Sequence, residues 1–392
     1  MSAGIAITGA GIISAIGVGK AETLNSLIAG RSGVGRLRHL QTSHSDLPCG
    51  EVKLSDGELK EALGLPAERV VPRTTLLGIV AAKEAMEQAG VKGTVRSALI
   101  SGTTVGGMDI TESRYAQGSE SELFSLHDCG GCTDEIADFF GGFGLVTTIS
   151  TACSSAANSI MLGADLIRSG RCDVVVAGGA ECLTRYHLNG FNSLKILDSE
   201  PCRPFDASRA GLNLGEGAGF VVLESLDRAL ERGAVPVGLL DGYGNACDAF
   251  HQTASSEDGE GAFLAMSEAL RMGGLNPSDI DYINAHGTAT PNNDASESRA
   301  MFRLFGQNVP PVSSTKAFTG HTTSAAGSIE AVISLLAIQN GFIPANLNWK
   351  EPFEGGVRPE AEGKTGVRLR HALCNSFGFG GNDSSLLISA YE

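Results

Sequence analysis

The side chains best suited to chemistry lie in three short stretches of the chain. These stretches read STACSS at 150–155, NAHGTATP at 284–291 and SSTKAFTGH at 313–321. Together they supply a thiol, an ammonium and two imidazoles: Cys153, Lys316, His286 and His321. A thiol is a good acyl acceptor only as a thiolate, which needs a helix N-terminus or a cationic neighbour. Two imidazoles beside it can polarise a second carbonyl. The set therefore suits chemistry in which one acyl group is held on sulfur while a second thioester is activated.

Cys153 is predicted to lie at a strand-to-helix turn. It follows the β-rich run 146–150 and precedes a helix-length segment, 155–169, that stops before Gly170. The helix dipole and the free N–H groups of the first turn would favour a thiolate there and could hold a developing oxyanion. On local sequence alone, a buried structural cysteine fits equally well.

The two histidines lie in glycine-containing turns. His286 follows the strand-like run 282–285 and opens a Gly-Thr-Ala-Thr turn, whereas His321 follows Gly320 and precedes the small residues 324–327, which would allow close packing. A structural histidine fits each of these local sequences about as well as a functional one.

Lys316 lies in a segment of small, uncharged residues. Its ammonium is therefore expected to be partly buried, and a buried ammonium needs a carboxylate. Glu330, in the otherwise apolar helical segment 328–339, is the obvious partner, because its immediate neighbours are apolar.

The composition bounds the class of protein. The chain has 392 residues, of which 42% are hydrophobic and 19% charged, so a large core is expected and disorder is not. The formal net charge of −15 argues against nucleic acid as the main partner. The nine scattered cysteines, the absence of a secretory signal and the lack of an apolar run near 18 residues predict a cytoplasmic protein without a membrane span. Cys129 and Cys132 have no second pair at zinc-ribbon spacing, so we expect a flexible loop and no metal there.

Strand-like runs alternate with helix-length segments along the whole chain. Strands are predicted at 5–8, 97–101, 174–177, 219–223, 237–243, 282–285 and 385–389, and helices at 21–29, 76–88, 155–169, 259–272 and 328–339. This alternation predicts a layered α/β architecture with largely parallel central strands. Without a proline-rich or charged linker, we expect two fused halves, 1–235 with the cysteine and 236–392 with the histidines and the lysine.

The three motifs, in this order, resemble the type II β-ketoacyl-acyl carrier protein synthases of the Cys-His-His elongating kind. Supporting segments are GTTVGGM at 102–108, AGGAE at 177–181, RPFD at 203–206, GEGAG at 215–219 and NSFGFGG at 375–381. The resemblance covers nearly the whole chain. It implies a thiolase-like fold, an αβαβα sandwich of two equivalent halves. It also implies an acyltransferase that condenses an acyl group on Cys153 with malonyl-acyl carrier protein, losing CO2, to give 3-ketoacyl-acyl carrier protein.

The resemblance also assigns catalytic roles. Cys153 would be the nucleophile, and its own N–H with that of Phe379 would form the oxyanion hole. His286 and His321 would bind the malonyl thioester carbonyl and stabilise the enolate. Lys316, paired with Glu330, would orient and tune His321.

Substrate and partner contacts follow from the same resemblance. Thr288 and Thr290 match hydroxyls that bind the phosphopantetheine arm, which belongs to the carrier substrate, so no cofactor of the protein itself is expected. Phe377 and Phe379 match the gate of the acyl pocket, and Val105 its far end, contributed across a dimer interface. The residues expected to meet the acidic carrier protein are Lys195, Arg69 and Arg73, each of which could equally be ordinary surface charge. The dimer could be a homodimer or include a second ketosynthase-like chain.

Two segments depart from the family pattern. Thr322-Thr-Ser324 replaces the usual Leu-Leu-Gly, and Gly380-Gly-Asn-Asp383 replaces Gly-Gly-Thr-Asn. These changes leave the chain length, the starter and the pathway open, with a specialised polyketide or polyene pathway as one alternative. A coenzyme A-dependent priming synthase or a thiolase would lack a second histidine at position 321. A chain-length-factor-like partner that does not condense would lack the nucleophile.

Overall fold

The computed structural model describes residues 4–115 and 126–392. Its strands are β1 (Ile5–Ser14), β2 (Gly17–Val18), β3 (Ser97–Gly102), β4 (Leu145–Ile149), β5 (Val174–Glu181), β6 (Gly217–Ser225), β7 (Gly238–Cys247), β8 (Tyr282–Asn284), β9 (Val312–Ser313), β10 (Phe342–Ile343), β11 (Lys364–Thr365), β12 (His371–Gly378) and β13 (Asn382–Ser389). Its helices are α1 (Gly19–Ile28), α2 (Asp56–Leu63), α3 (Arg73–Ala89), α4 (Met108–Arg114), α5 (Cys129–Phe140), α6 (Ser155–Arg168), α7 (Arg185–Ser193), α8 (Leu226–Glu231), α9 (Glu260–Gly273), α10 (Pro291–Phe305), α11 (Lys316–Thr319) and α12 (Ala326–Asn340).

The main sheet consists of two sets of strands with the same internal order. The first set runs β4-β3-β5-β6-β1 and the second β9-β8-β12-β13-β7. When the strands of each set are numbered in chain order, without the short β2, both sets run third, second, fourth, fifth, first across the sheet. The sets meet where β1 pairs antiparallel with β7. The chain therefore contains two halves of equivalent topology.

Helices cover and separate these two sets of strands. α3 packs on β1, β5 and β6, and α9 packs on β7 and β13. Between the sets, α6 packs on β3 and β5, α12 packs on β6 and β12, and the two helices touch each other. The result is the αβαβα sandwich that the family resemblance implied.

The sequence of the middle layer explains how these helices pack there. Residues 326–338 of α12 are all buried, so this helix is apolar around most of its circumference rather than along one stripe. Gly327 allows the close approach, since a Cβ atom at this position would lie 2.9 Å from Cβ of Ala157 on α6. The prediction that the small residues 324–327 permit close packing is confirmed.

Two expectations about the fold are wrong. The central pairs β5–β6, β1–β6, β1–β7, β7–β13 and β12–β13 are antiparallel, and only the outer pairs in each half are parallel. β12 and β13, for example, are joined by a short hairpin, which leaves no room for the crossover that a parallel pair requires. Cys129 and Cys132 lie in the first turn of α5 and not in a loop.

The two halves are connected by residues 232–237, between α8 and β7. The predicted division near residue 235 falls within this connection and stays a prediction. Among the described residues, no helix is both long and apolar enough to cross a membrane.

Candidate active site

Cys153 lies in the tight turn between β4 and α6, as predicted. Ala152, immediately before it, has a φ of 51°, a left-handed conformation that is uncommon for a residue with a Cβ atom. The Ser155 hydroxyl fixes the turn by donating to the carbonyl of Ala152 at 2.6 Å and accepting from the N–H of Thr151 at 2.9 Å. The turn therefore holds the thiol, which is 5% exposed, at the start of a helix of the middle layer.

Burial outweighs the helix start in setting the state of this thiol. Desolvation raises the pKa of Cys153 to about 11, although the Lys316 ammonium and a hydrogen bond from the Phe379 N–H act in the opposite direction. The carboxylates of Glu181 and Glu330 raise it further. The expected thiolate is thus a minor species of the resting site. The N–H groups around the sulfur stabilise the thiolate only in comparison with one buried in purely apolar surroundings.

The two histidines converge on this sulfur. Nε2 of His321 lies 3.1 Å from Sγ of Cys153, and the His286 and His321 rings meet edge to face with centroids 5.3 Å apart. The backbone of His321 is fixed on both sides, because its N–H donates to the carbonyl of Asn213 and its carbonyl accepts from the N–H of Gly215. One ligand atom from each of Cys153, His286 and His321 fits within 4.8 Å of the others.

Both imidazoles are neutral, and their surroundings select one tautomer. Burial, followed by the Lys316 ammonium, holds the pKa of each well below its usual range. Nδ1 of His286 and of His321 is buried with no hydrogen-bond partner among the described residues. A proton on Nδ1 would be a buried donor without an acceptor, so the neutral ring carries its proton on Nε2. Each histidine thus offers an N–H donor at the site.

Lys316 and Glu330 form the predicted buried ion pair. Nζ of Lys316 lies 2.5 Å from Oε1 of Glu330, and the two side chains are 1% and 2% exposed. Burial raises the pKa of Glu330 to about 7, against the lowering effect of Lys316. The ammonium lowers the pKa of Cys153, His286 and His321, and after burial it is the largest single influence on each of them.

A cavity of about 320 Å³ opens onto these groups. Its walls come from the nucleophile turn, both histidines, the segment before α10 and the hairpin between β12 and β13; among the lining residues are Cys153, Phe191, Ile196, Leu212, His286, Thr288, Thr290, His321, Phe377 and Phe379. The hydroxyls of Thr288 and Thr290 lie 2.8 Å apart in its wall. Phe379 stacks on Phe191 at 5.8 Å between ring centroids. The four expected substrate-binding residues of this region therefore face one cavity that ends at the thiol.

Comparison with known proteins identifies the family. The model "Beta-ketoacyl synthase, N-terminal domain" matches residues 2–229, and "Beta-ketoacyl synthase, C-terminal domain" matches residues 237–350. This chain belongs to the β-ketoacyl synthase family. Among its relatives, 3-oxoacyl-[acyl-carrier-protein] synthase 2 of Vibrio harveyi is 34% identical over 409 residues, covering 98% of each chain. Nodulation protein E of Rhizobium meliloti (strain 1021) is 34% identical over 403 residues, covering 97% of this chain and 98% of that protein. A solved structure titled "The ishigamide ketosynthase/chain length factor" superposes with a TM-score of 0.91 at 32% identity and full coverage of both chains.

The expected carrier contacts of this synthase divide into two exposed residues and one buried residue. Lys195 is exposed just after α7, and Arg69 is exposed with a long 3.5 Å ion pair to Glu135. Arg73 is not available to a partner, and that expectation is wrong. Its guanidinium is buried, with Nε 2.9 Å from Oε2 and Nη2 2.7 Å from Oε1 of Glu216, so it ties the start of α3 to the interior.

Val105 lies outside the walls of the 320 Å³ cavity and is 3% exposed. It occupies the turn between β3 and α4. Its expected role is to limit the length of an acyl pocket that two subunits share, and a single chain does not test that role. It stays a prediction.

Glu297 is a supporting residue of the β-ketoacyl synthase site that sequence reasoning missed. Its buried carboxylate on α10 accepts hydrogen bonds from the N–H of His286 at 2.9 Å and of Gly287 at 2.8 Å. Burial raises its pKa to about 7. The only sequence signal was its position eleven residues after His286, which does not distinguish it from the other polar residues of that helix.

The Cys-His-His set of this synthase is compact enough to hold a metal ion, but it lacks the usual support for one. Histidines that bind metals almost always donate their second ring N–H to a carboxylate, carbonyl or water. Nδ1 of His286 and of His321 has no such acceptor among the described residues. The donor arrangement fits hydrogen bonding to a carbonyl oxygen better than metal ligation.

Proposed function

We propose that this chain is an acyltransferase that condenses an acyl group, carried on Cys153, with malonyl-acyl carrier protein. The observation that carries the proposal is the position of Sγ of Cys153, at the end of the cavity and 3.1 Å from Nε2 of His321, with His286 beside it. A nucleophile and two N–H donors then face the same small volume. Membership of the β-ketoacyl synthase family supports the same reaction.

The first step loads the enzyme. The thiolate of Cys153 attacks the carbonyl of the acyl-carrier thioester, a new C–S bond forms, and the bond to the carrier sulfur breaks. The proton that Cys153 loses ends on the departing carrier thiol. The N–H groups of Cys153 and Phe379 would hold the oxyanion, and the Phe379 N–H already lies against the sulfur.

Loading frees the histidines for the second substrate. In the resting site, the Nε2–H of His321 is directed at the sulfur. Acylation turns this sulfur into a thioester sulfur, which is only a weak hydrogen-bond acceptor, so the donor is available to the malonyl substrate together with that of His286. The malonyl carboxylate then leaves as CO2, and its bonding electrons form an enolate whose oxygen accepts both N–H bonds.

Condensation completes the cycle. The enolate carbon attacks the acyl carbonyl on Cys153, a C–C bond forms, and Cys153 leaves as a thiolate that takes a proton from solvent. The product is 3-ketoacyl-acyl carrier protein. Lys316 touches neither substrate in this scheme. Burial is the main reason that both imidazoles are neutral, and the Lys316 ammonium adds to that effect.

The acyl carrier protein is the partner that this site requires. The cavity would admit its phosphopantetheine arm past Thr288 and Thr290, and Lys195 would meet its acidic surface. The name of the Vibrio harveyi relative, 3-oxoacyl-[acyl-carrier-protein] synthase 2, includes the acyl carrier protein. No cofactor of the enzyme itself enters the scheme.

A second ketosynthase-like chain is the other proposed partner. Among the described strands, β4 pairs only with β3, so one edge of β4 is open. Leu145 on this strand is 39% exposed although it belongs to the main sheet. An open, partly apolar edge is suited to pairing with another chain, and the structural neighbour's title names two components.

Intact-mass spectrometry tests the proposal. The wild-type protein and Cys247→Ala, which removes an exposed cysteine outside the cavity, should each gain one acyl group from acyl-carrier and then form 3-ketoacyl product with malonyl-carrier. Cys153→Ala should do neither. Persistent acylation of Cys153→Ala would refute the assignment. Acylation from coenzyme A alone would indicate a priming synthase. A wild-type protein whose Cys153 gains no acyl group would indicate a non-condensing partner.

A further inference from the structure

Glu181 is a buried carboxylate that the reaction scheme does not use. It lies at the end of β5, is 0% exposed, and has no basic side chain within ion-pair distance among residues 4–115 and 126–392. Isolating a carboxylate from water is costly unless hydrogen bonds satisfy its oxygens. The donors that satisfy Glu181 come from two segments that are distant in sequence.

The first segment is the turn after β3. The N–H of Thr104 and of Val105 donate to Glu181 at 2.9 and 3.1 Å, and the Thr103 hydroxyl donates at 2.7 Å. The Thr104 hydroxyl also donates to it. Glu181 therefore fixes the backbone of Val105, the residue expected to limit the acyl pocket.

The second segment follows His321. The Ser324 hydroxyl donates to Oε2 of Glu181 at 2.5 Å, and the Thr323 hydroxyl lies 3.4 Å from the same oxygen. These residues belong to the Thr322–Ser324 segment, which leads from His321 to α12. The Ser324 hydroxyl therefore joins the Glu181 carboxylate to the segment that carries His321.

We propose that Glu181, through Ser324, is a positioning residue that couples the Val105 turn to the His321 segment. Length selection at Val105 and decarboxylation at His321 would then respond together to a change at either end. This inference rests on the proposed function, since it concerns the acyl chain and the malonyl substrate of that reaction.

The placement of His321 shows why such a coupling matters. Its backbone N–H and carbonyl are bonded to Asn213 and Gly215, and Ser324 lies only three residues later on the path to α12. Charge-assisted hydrogen bonds such as that of Ser324 are stronger than neutral ones. A shift of the carboxylate would be passed to Nε2 of His321, which lies 3.1 Å from the nucleophile.

Hydrogen exchange tests the coupling without relying on activity. Ser324→Ala should speed exchange about tenfold at the amides of Thr104 and Val105, which lie in the other segment. Ser328→Ala is the matched control, because it also removes a buried hydroxyl, but one that donates only to the nearby carbonyl of Ala325. Faster exchange confined to residues near 324, or equal effects of both variants, would overturn the proposal.

Kinetics on the same proteins test the consequence. Ser324→Ala and Thr104→Val, which perturb opposite ends, should both slow malonyl decarboxylation about tenfold relative to acylation of Cys153 and both shift the lengths of the products. Ser328→Ala should change neither. A lower melting temperature with an unchanged decarboxylation-to-acylation ratio and unchanged product lengths would show a merely structural role. A wild-type protein without condensation would refute the proposed function, while the exchange experiment would still decide the coupling.

Discussion

The reactivity of Cys153 should increase with pH far beyond the range in which an ordinary thiol levels off. Burial raises its pKa to about 11, whereas a free cysteine has a pKa of about 8.5. Because burial disfavours the charged form, the thiolate becomes abundant only as the pH rises. About one thiol in ten thousand would be ionised at pH 7 and about one in a hundred at pH 9. The alkylation rate should therefore rise about 100-fold over these two pH units and about tenfold more by pH 10.

Iodoacetamide labelling followed by peptide mass spectrometry measures this rate at Cys153 alone. Cys153→Ser identifies the peptide, a small free thiol provides the reference curve, and circular dichroism confirms that the fold survives the brief exposure to alkali. Lys316→Met should slow labelling at every pH, because the ammonium lowers the pKa of Cys153. A rate that levels off at or below pH 8 would show that the helix start dominates over burial, and our account of the resting thiol would then be wrong.

Three further predictions concern the rest of the site. His286→Ala should leave acylation of Cys153 measurable but slow CO2 release from malonyl-carrier about 100-fold, since a lost oxyanion donor costs about 3 kcal/mol; full decarboxylation would contradict its role. Glu330→Gln should lower the free energy of unfolding by about 3–5 kcal/mol in urea titrations, because it leaves the Lys316 ammonium buried without a partner. Lys316→Met combined with Glu330→Leu should recover most of that stability but not activity. Equal stability of Glu330→Gln and wild type would argue against the pair. Val105→Phe should shorten the products, since each buried CH2 contributes about 0.8 kcal/mol; an unchanged length profile would place the end of the pocket elsewhere.

Local sequence was enough to predict two parts of the site. These are the parts whose position depends on neighbouring residues in the chain or on a charge in an otherwise uncharged segment. The turn around Cys153 follows from a β-rich run and a helix start that are adjacent in the chain. The Lys316–Glu330 pair could be predicted because both residues lie in segments nearly free of other charges, which leaves few alternative partners. The structure confirms that pair at 2.5 Å.

Contacts between distant segments were not predictable in the same way. Arg73 looked like a surface cation, because nothing near it shows that Glu216, 143 residues later, would enclose its guanidinium. Glu297 was missed because its partners are backbone N–H groups, which leave no side-chain pattern in the sequence. The prediction of largely parallel central strands was wrong for a related reason. Alternation of strands and helices specifies layers but not which strands become neighbours.

The repeated topology explains why the chemistry is divided between the two halves. Cys153 follows the third strand of the first half, and His321 follows the third strand of the second, after the short helix α11. The turn with Val105 follows the second strand of the first half, and His286 follows the second strand of the other. In each half these strands are parallel neighbours, so their carboxyl ends lie at one edge. The contact between α6 and α12, close-packed at Gly327, then brings the two edges together. In the proposed reaction, the acyl acceptor thus comes from one half and the enolate-stabilising donors come from the other.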